Sequence, residues 1–242
     1  MSSHDRLVLD TLDLGPIKPK KAKRERTWFR KTRVFLRVVI FPLKWSLVFA
    51  LPFLILVRGS IWAYRDLGWG TWLSLSAGVV ATLLLFLMYA SWVWKRVTGK
   101  GNVPKLLARG LTVLVVGYTG YGLLYLSSAN AKTPEVKEYF TSLHPMLRLG
   151  ASTFLLFDRE AVVTDTKRTS EDYLKMGLPV NETSLHFKLS DRFVHALDLR
   201  TQGRPEWKNF VTARYFALMG FRTLRHVGTA DHLHISLPIP GE

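Results

Sequence analysis

Residues 71–94 read TWLSLSAGVVATLLLFLMYASWVW, a run of 24 positions without a charged side chain. A helix rises 1.5 Å per residue, so about 20 apolar residues cross the roughly 30 Å hydrocarbon layer of a bilayer. This run alone therefore predicts a membrane span. Trp69, Trp72, Trp92 and Trp94 stand at its two ends, where an indole has lipid on one side and water on the other. Two weaker runs flank it. Val38–Val57 contains Pro42, Pro52 and Lys44, and spans if the Lys44 ammonium snorkels to the headgroups. Leu111–Ser127 is short, and spans if Leu106–Gly110 joins it with Arg109 snorkelling likewise. The expectation is three transmembrane helices.

Charge is divided as unevenly as hydropathy. Residues 1–129 carry 19 Lys/Arg against 5 Asp/Glu, whereas residues 130–242 carry 15 against 13. The pI near 10.2 thus belongs to the first half. Its cations flank apolar runs and do not line a globular face, so the partner expected is membrane lipid and no nucleic acid. The leader holds Lys18, Lys20, Lys21, Lys23, Arg24, Arg26, Arg30, Lys31 and Arg33. The loop 95–109 holds Lys95, Arg96, Lys100, Lys105 and Arg109, and the loop 58–70 only Arg58 and Arg65 with Asp66. The excess of Lys and Arg on cytoplasmic loops places the leader and the second loop inside. Three crossings then put residues 130–242 outside, on the periplasmic face of a multi-pass inner-membrane protein; two crossings would leave them in the cytoplasm.

The organisation expected is a basic cytoplasmic tail (1–33), disordered or lying on anionic lipid, a three-helix anchor (34–129) and an extracytoplasmic domain (130–242). No cleavage site of the usual small-residue form follows the first apolar run, so it is expected to stay as an uncleaved anchor. The runs contain no acidic residue, which a proton relay or transporter would need, so they read as an anchor. The absence of cysteine excludes disulfides and thiolate ligands.

Residues 127–134 read as a short linker. Beyond it the expectation is a small α+β domain: a helix over His144–Phe157 packing under a sheet, a strand over Ala161–Thr166, and a helix opened by a Thr169/Asp172 capping box and closed near Gly177. A strand over Phe193–Leu199, a helix over Pro205–Met219 and a strand over His232–Leu237 follow. Trp207, Phe210, Val211, Arg214 and Leu218 recur every three or four residues and mark one face of the Pro205 helix. In the last strand His232 and His234 share one face, with Leu233, Ile235 and Leu237 on the other; Asp198 likewise stands opposite Leu197 and Leu199. Imidazoles and a carboxylate on polar faces of neighbouring strands suit zinc, which takes such ligands and, in catalytic sites, leaves a fourth position to water. The candidate ligands are His186, Asp198 and His234, with Asp231 as candidate general base. Solvated side chains remain the alternative reading of each.

The order of these residues adds to that reading. Val162 through Ser170 with Arg168, then Ser184-Leu185-His186, then Ala196-Leu197-Asp198-Leu199, then Gly220-Phe221 through Asp231-His232-Leu233-His234-Ile235 resemble the zinc D-alanyl-D-alanine carboxypeptidases and L-alanyl-D-glutamate endopeptidases, whose pattern includes SxHxxGxAxD and a late acidic residue three positions before a histidine. The resemblance covers roughly residues 143–237. It implies a small DD-peptidase-like α+β fold with an antiparallel sheet and flanking helices, and hydrolysis of peptide bonds in peptidoglycan stem peptides. It further implies zinc on His186, Asp198 and His234, Asp231 as base, Arg168 gripping a substrate carboxylate or carbonyl, and Ser184 contacting substrate. The chain departs from the pattern in three places. His186 and Asp198 are 12 positions apart, further than in the motif; Val194 stands at the motif glycine; Lys167 replaces the usual tyrosine before Arg168. The departures leave a second function open, an inactive module that binds peptidoglycan or an envelope protein.

Overall fold

A computed structural model describes residues 21–177, 179–228 and 231–241. Most of the membrane helices begin or end where the charges dictate. Helix α1 (Lys21–Leu54) continues through a π-helical turn (Ile55–Gly59) into α2 (Ser60–Arg65). Helix α3 covers Thr71–Thr98 and α4 covers Lys105–Leu124. Among the described residues three stretches are long and apolar enough to cross a membrane: Arg37–Arg65, Thr71–Thr98 and Lys105–Leu124. The third does recruit Leu106–Gly110. The basic leader differs from expectation in part: residues 1–20 lie outside the described residues, but the backbone is already helical from Lys21.

The described residues up to Val48 form a unit of their own. Phe35, Val38, Phe41 and Leu43 are exposed there, as lipid-facing side chains are when no lipid is present. From Phe49 onward the chain is a second compact unit, and it does not divide at the expected linker. Asn130 is buried, and its side-chain amide donates to the carbonyls of Arg159 and Ala161, both at 2.8 Å. Ala131 bridges to Val163, and the Lys132 N–H donates to the Val163 carbonyl at 2.9 Å. The segment read as a tether is thus fastened to the sheet.

The C-terminal region contains α5 (Pro134–Tyr139), α6 (Pro145–Phe157), β1 (Val163–Asp165), α7 (Ser170–Lys175), β2 (Ala196–Arg200), α8 (Glu206–Met219), β3 (Arg222–His226) and β4 (His232–Ser236). The strands form one antiparallel sheet in the order β1-β2-β4-β3. The Thr169/Asp172 capping box is present at α7. Strand β3 was not foreseen: Arg222-Thr-Leu-Arg-His has no apolar alternation strong enough to mark it, and charged, half-exposed residues suit an edge strand.

Helix α6 joins the long apolar helices to the sheet domain. Ten consecutive residues from Pro145 are buried, and α6 packs against α3, α4, the π-helical turn and α8. Two glycines permit the approach. A Cβ on Gly122 would lie 2.8 Å from the Leu149 side chain, and one on Gly150 would lie 2.6 Å from the Phe221 ring. Arg148 donates to the Leu123 carbonyl at 2.7 Å, placing a cation at the C-terminal end of α4, where the helix dipole favours it. The core therefore includes Leu56, Val57, Ile61, Tyr64 and Leu75 from the membrane helices together with Leu149, Leu197, Leu199, Phe216, Leu233 and Ile235. Each fully buried aliphatic side chain contributes about 1.5–3 kcal/mol, so the helix tops are part of what folds the domain.

Candidate metal centre

Strand alternation places the polar side chains. Leu197, Leu199, Leu233 and Ile235 point into the core, so Asp198, His232 and His234 emerge on the opposite face of the sheet. Asp198 and His234 are cross-strand partners on β2 and β4, and Leu224 on β3 lies across from His234. His186 arrives from the irregular segment after α7. Its Nδ1 lies 2.6 Å from the Thr166 carbonyl, an oxygen that only accepts. That bond fixes the proton on Nδ1 and leaves the Nε2 lone pair facing the cluster.

Three ligand atoms converge. His234 Nδ1 is 2.9 Å from Asp198 Oδ1, His186 Nε2 is 3.3 Å from His234 Nδ1, and His186 Nε2 is 3.4 Å from Asp198 Oδ1. Ligands about 2 Å from a tetrahedral zinc are separated by roughly these distances. The donor set, two imidazoles and one carboxylate, is one that zinc accepts. Of the described His, Asp and Glu side chains, only this group and one other are arranged to hold a cation. The extra residues between His186 and Asp198 form turns and a bridge from Lys188 to Val194, so the longer spacing is taken up in a loop and both side chains still meet.

The electrostatics agree with the geometry. Burial alone would raise the Asp198 pKa, but the neighbouring His186 and His234 imidazoles outweigh it and hold the carboxyl well below the usual carboxylate range. Burial would lower the His186 pKa, and the bond and charge of Asp198 reverse this, leaving it raised. Arg168 donates from Nε to Asp165 at 2.6 Å and from Nη2 to Asp198 Oδ2 at 3.5 Å. His232 Nε2 is 3.6 Å from the same Oδ2.

Above these atoms opens a cleft of about 510 Å³ lined by Arg168, Ser184, His186, Asp198, His234 and, from the β3–β4 end, His226 and His232. The sequence-derived ligands and both substrate-contact candidates thus share one cavity. Asp231, the candidate base, does not line it. Its Oδ1 accepts from Thr201 at 2.5 Å and from Arg225 at 3.1 Å, and its Oδ2 from Arg225 at 2.8 Å. These bonds, from Arg225 first and then Thr201, pull its pKa down to about 2. A carboxylate so held is a poor proton acceptor. His226, which lies outside the sequence-derived site, faces the cleft with its ring stacked on His232 at 4.9 Å. The register His226↔His232 was hidden while β3 went unrecognised.

A second cluster has the same composition. His144, Asp191 and His195 lie within ligand distance of one another, but the atoms that face one another are committed to hydrogen bonds. The Met146 N–H donates to His144 Nδ1 at 3.4 Å, so Nε2 carries the proton and donates to Thr71 Oγ1 at 3.0 Å. Asp191 accepts from the Phe193 N–H at 3.0 Å and from His195 Nε2 at 2.8 Å. His144 and His195 are sealed from solvent. Burial, with the neighbouring His195 and Arg148 charges, pushes the His144 pKa down to about 2. This cluster fastens α3 and α6 to the domain as a hydrogen-bonded latch.

In comparisons with known proteins, no family model, no curated protein and no solved structure matches the chain.

Proposed function

We propose that the chain is a membrane-anchored zinc peptidase that hydrolyses a peptide bond in peptidoglycan stem peptides, as a carboxypeptidase or endopeptidase. The observation that carries this reading is the convergence of His186 Nε2, Asp198 Oδ1 and His234 Nδ1 at 2.9–3.4 Å on the floor of an open cleft. A zinc ion there would polarise a carbonyl and acidify a bound water. The protein's own parts in this reading are distinct. Thr166 orients His186, Arg168 presents a guanidinium for a peptide carboxylate or carbonyl, Ser184 offers a hydroxyl, and His226 and His232 are the imidazoles within the cleft that can hold a proton. The charge bias of the loops supports a domain outside the cytoplasm, where wall peptide is found.

One observation favours a second reading. Asp231 is engaged away from the cleft, and among the described residues no other carboxylate besides Asp198 lines it. A module that binds wall peptide or an envelope protein through Arg168 without cutting would need no base.

Metal content and turnover on the full-length protein, purified in detergent, decide between them. The expected result is about one zinc per chain, lost in His186→Ala and in His234→Ala, with release of D-amino-acid-containing products from a stem peptide that stops in both variants. A wild-type chain that stays metal-free at micromolar zinc overturns the peptidase. Bound zinc without peptide hydrolysis favours the binding module.

A further inference from the structure

Helix α8 has its polarity reversed. The regular apolar stripe of its sequence is on the outside: Trp207 is 65 % exposed, Phe210 59 %, Val211 52 % and Leu218 59 %. The buried face of the same helix includes Asn209 and Thr212 beside Phe216 and Met219. Asn209 is kept there by the carbonyls of Thr201 at 3.2 Å and Arg204 at 3.5 Å. A water-facing helix places these residue types the other way round, and a contiguous exposed apolar stripe marks a surface that something covers.

The membrane helices indicate what covers it. The Arg58 guanidinium, within the first span, donates to the Leu218 carbonyl at 2.8 Å, and a Cβ on Gly220 would lie 3.2 Å from Ile61. The first span continues to Arg65, about 10 Å beyond Arg58 at 1.5 Å per residue. The C-terminal end of α8 therefore meets the span below its end. At the other side Phe157, 73 % exposed, packs its ring against Phe53 of the same span at 6.1 Å. The stripe is thus continuous with side chains that the spans present to lipid. Its cations suit a headgroup layer: Arg214 lies over the Phe210 ring at 5.0 Å and Lys208 over Trp207 at 5.9 Å. Long basic side chains reach phosphates from an apolar bed in this way.

We infer that α8 lies in the membrane surface, with Trp207, Phe210, Val211 and Leu218, joined by Phe157 of α6, immersed in the headgroup and acyl boundary of the leaflet nearest Arg58. This inference rests on the spans and not on the peptidase reading. Its consequence for the sheet is direct. The apolar sheet face packs toward α6 and α8, so the cleft on the opposite face is turned away from lipid.

The chain has no cysteine, so single cysteines can carry nitroxide labels in the full-length protein reconstituted into phosphatidylethanolamine–phosphatidylglycerol vesicles. The substitutions are Phe210→Cys, Val211→Cys and Leu218→Cys, with Val113→Cys on α4 as the lipid reference and Glu182→Cys as the water reference. The expected oxygen-to-nickel collision ratio at the three α8 positions is several-fold above that at residue 182 and close to that at residue 113. A ratio equal to that at residue 182 overturns the inference. Labels closed to both reagents overturn it too, because protein then covers the stripe. Three independent sites, each checked for native helix content, keep the test decisive if one variant fails to fold.

Discussion

The cluster His186–Asp198–His234 and the cluster His144–Asp191–His195 are built from the same three side chains, within one compact unit, and differ in everything that decides chemistry. In the first, a backbone carbonyl accepts the hydrogen bond of His186 Nδ1–H, which leaves the Nε2 lone pair aimed at two other ligand atoms above which a cleft opens. In the second, a backbone N–H takes the His144 lone pair, and the remaining ring nitrogen is committed to Thr71. Main-chain groups outside each cluster select the tautomer, and the tautomer separates a cation-ready site from a structural knot. Residue composition alone would have ranked the two equally.

The largest expected contrast is in metal. His186→Ala should remove the bound zinc and all measurable turnover, whereas His195→Ala should keep about one zinc per chain by elemental analysis. Two zinc ions on the wild-type protein, one of them lost in His195→Ala, would break the comparison. Next comes stability. His144→Ala leaves a cavity and strips Thr71 and Met146 of a buried partner, and should lower unfolding free energy by about 2–4 kcal/mol. His186→Ala in the zinc-free protein should cost less, because its cleft admits water. Equal losses in thermal or denaturant unfolding would mean that both clusters are structural.

A third contrast is in pH. His144 has a folded pKa depressed to about 2, so the unfolded chain takes up this proton first. Its contribution to stability is complete above the unfolded value of about 6.5 and is lost as pH falls below it, at up to about 1.4 kcal/mol per pH unit. His186, whose folded pKa is raised, has the opposite sign. Its contribution is present below about 6.5 and is lost as pH rises through the folded value. Melting of the zinc-free protein should therefore fall from pH 6.5 to 4.5, and His144→Gln should flatten that slope; an unchanged slope assigns the effect to another group. The smallest expected effect is at Asp231. Held by Arg225 and Thr201, it should tolerate Asn with less than about a tenfold fall in kcat. A loss of 10²–10⁴-fold, the range of a lost general base, would show that Asp231 turns into the cleft during turnover.

Local patterns were legible in the sequence, and pairings between distant elements were less so. The uncharged run at 71–94, the Thr169 capping box and the one-sided histidines of 232–234 depend on neighbours along the chain, and all three appear as read. The grouping of Asp198 with His234 was legible because alternation fixes a face and the sheet register then aligns the two. The segment 127–134 looked like a tether because Ser, Ala, Asn and Lys carry no sign of burial, yet Asn130 is buried through bonds to residues about thirty positions away. The stripe on α8 was legible in its spacing but not in what covers it, since periodicity reports that a face is apolar and not whether protein or lipid meets it. Asp231 was drawn into the site by its position in a motif, and the competing partner, Arg225, lies on the strand that polarity concealed.

Val57 and Ile61 sit in the same packed interior as Phe221 and Leu149, and this has a mechanical result. An enzyme hung on a slack cord sweeps a hemisphere and can find targets at many heights. Here the stalk is part of the head, so the mouth of the cleft rides at one altitude and moves only by lateral diffusion. What the protein can reach is then set by where it drifts in the plane of the bilayer and by what passes at that level.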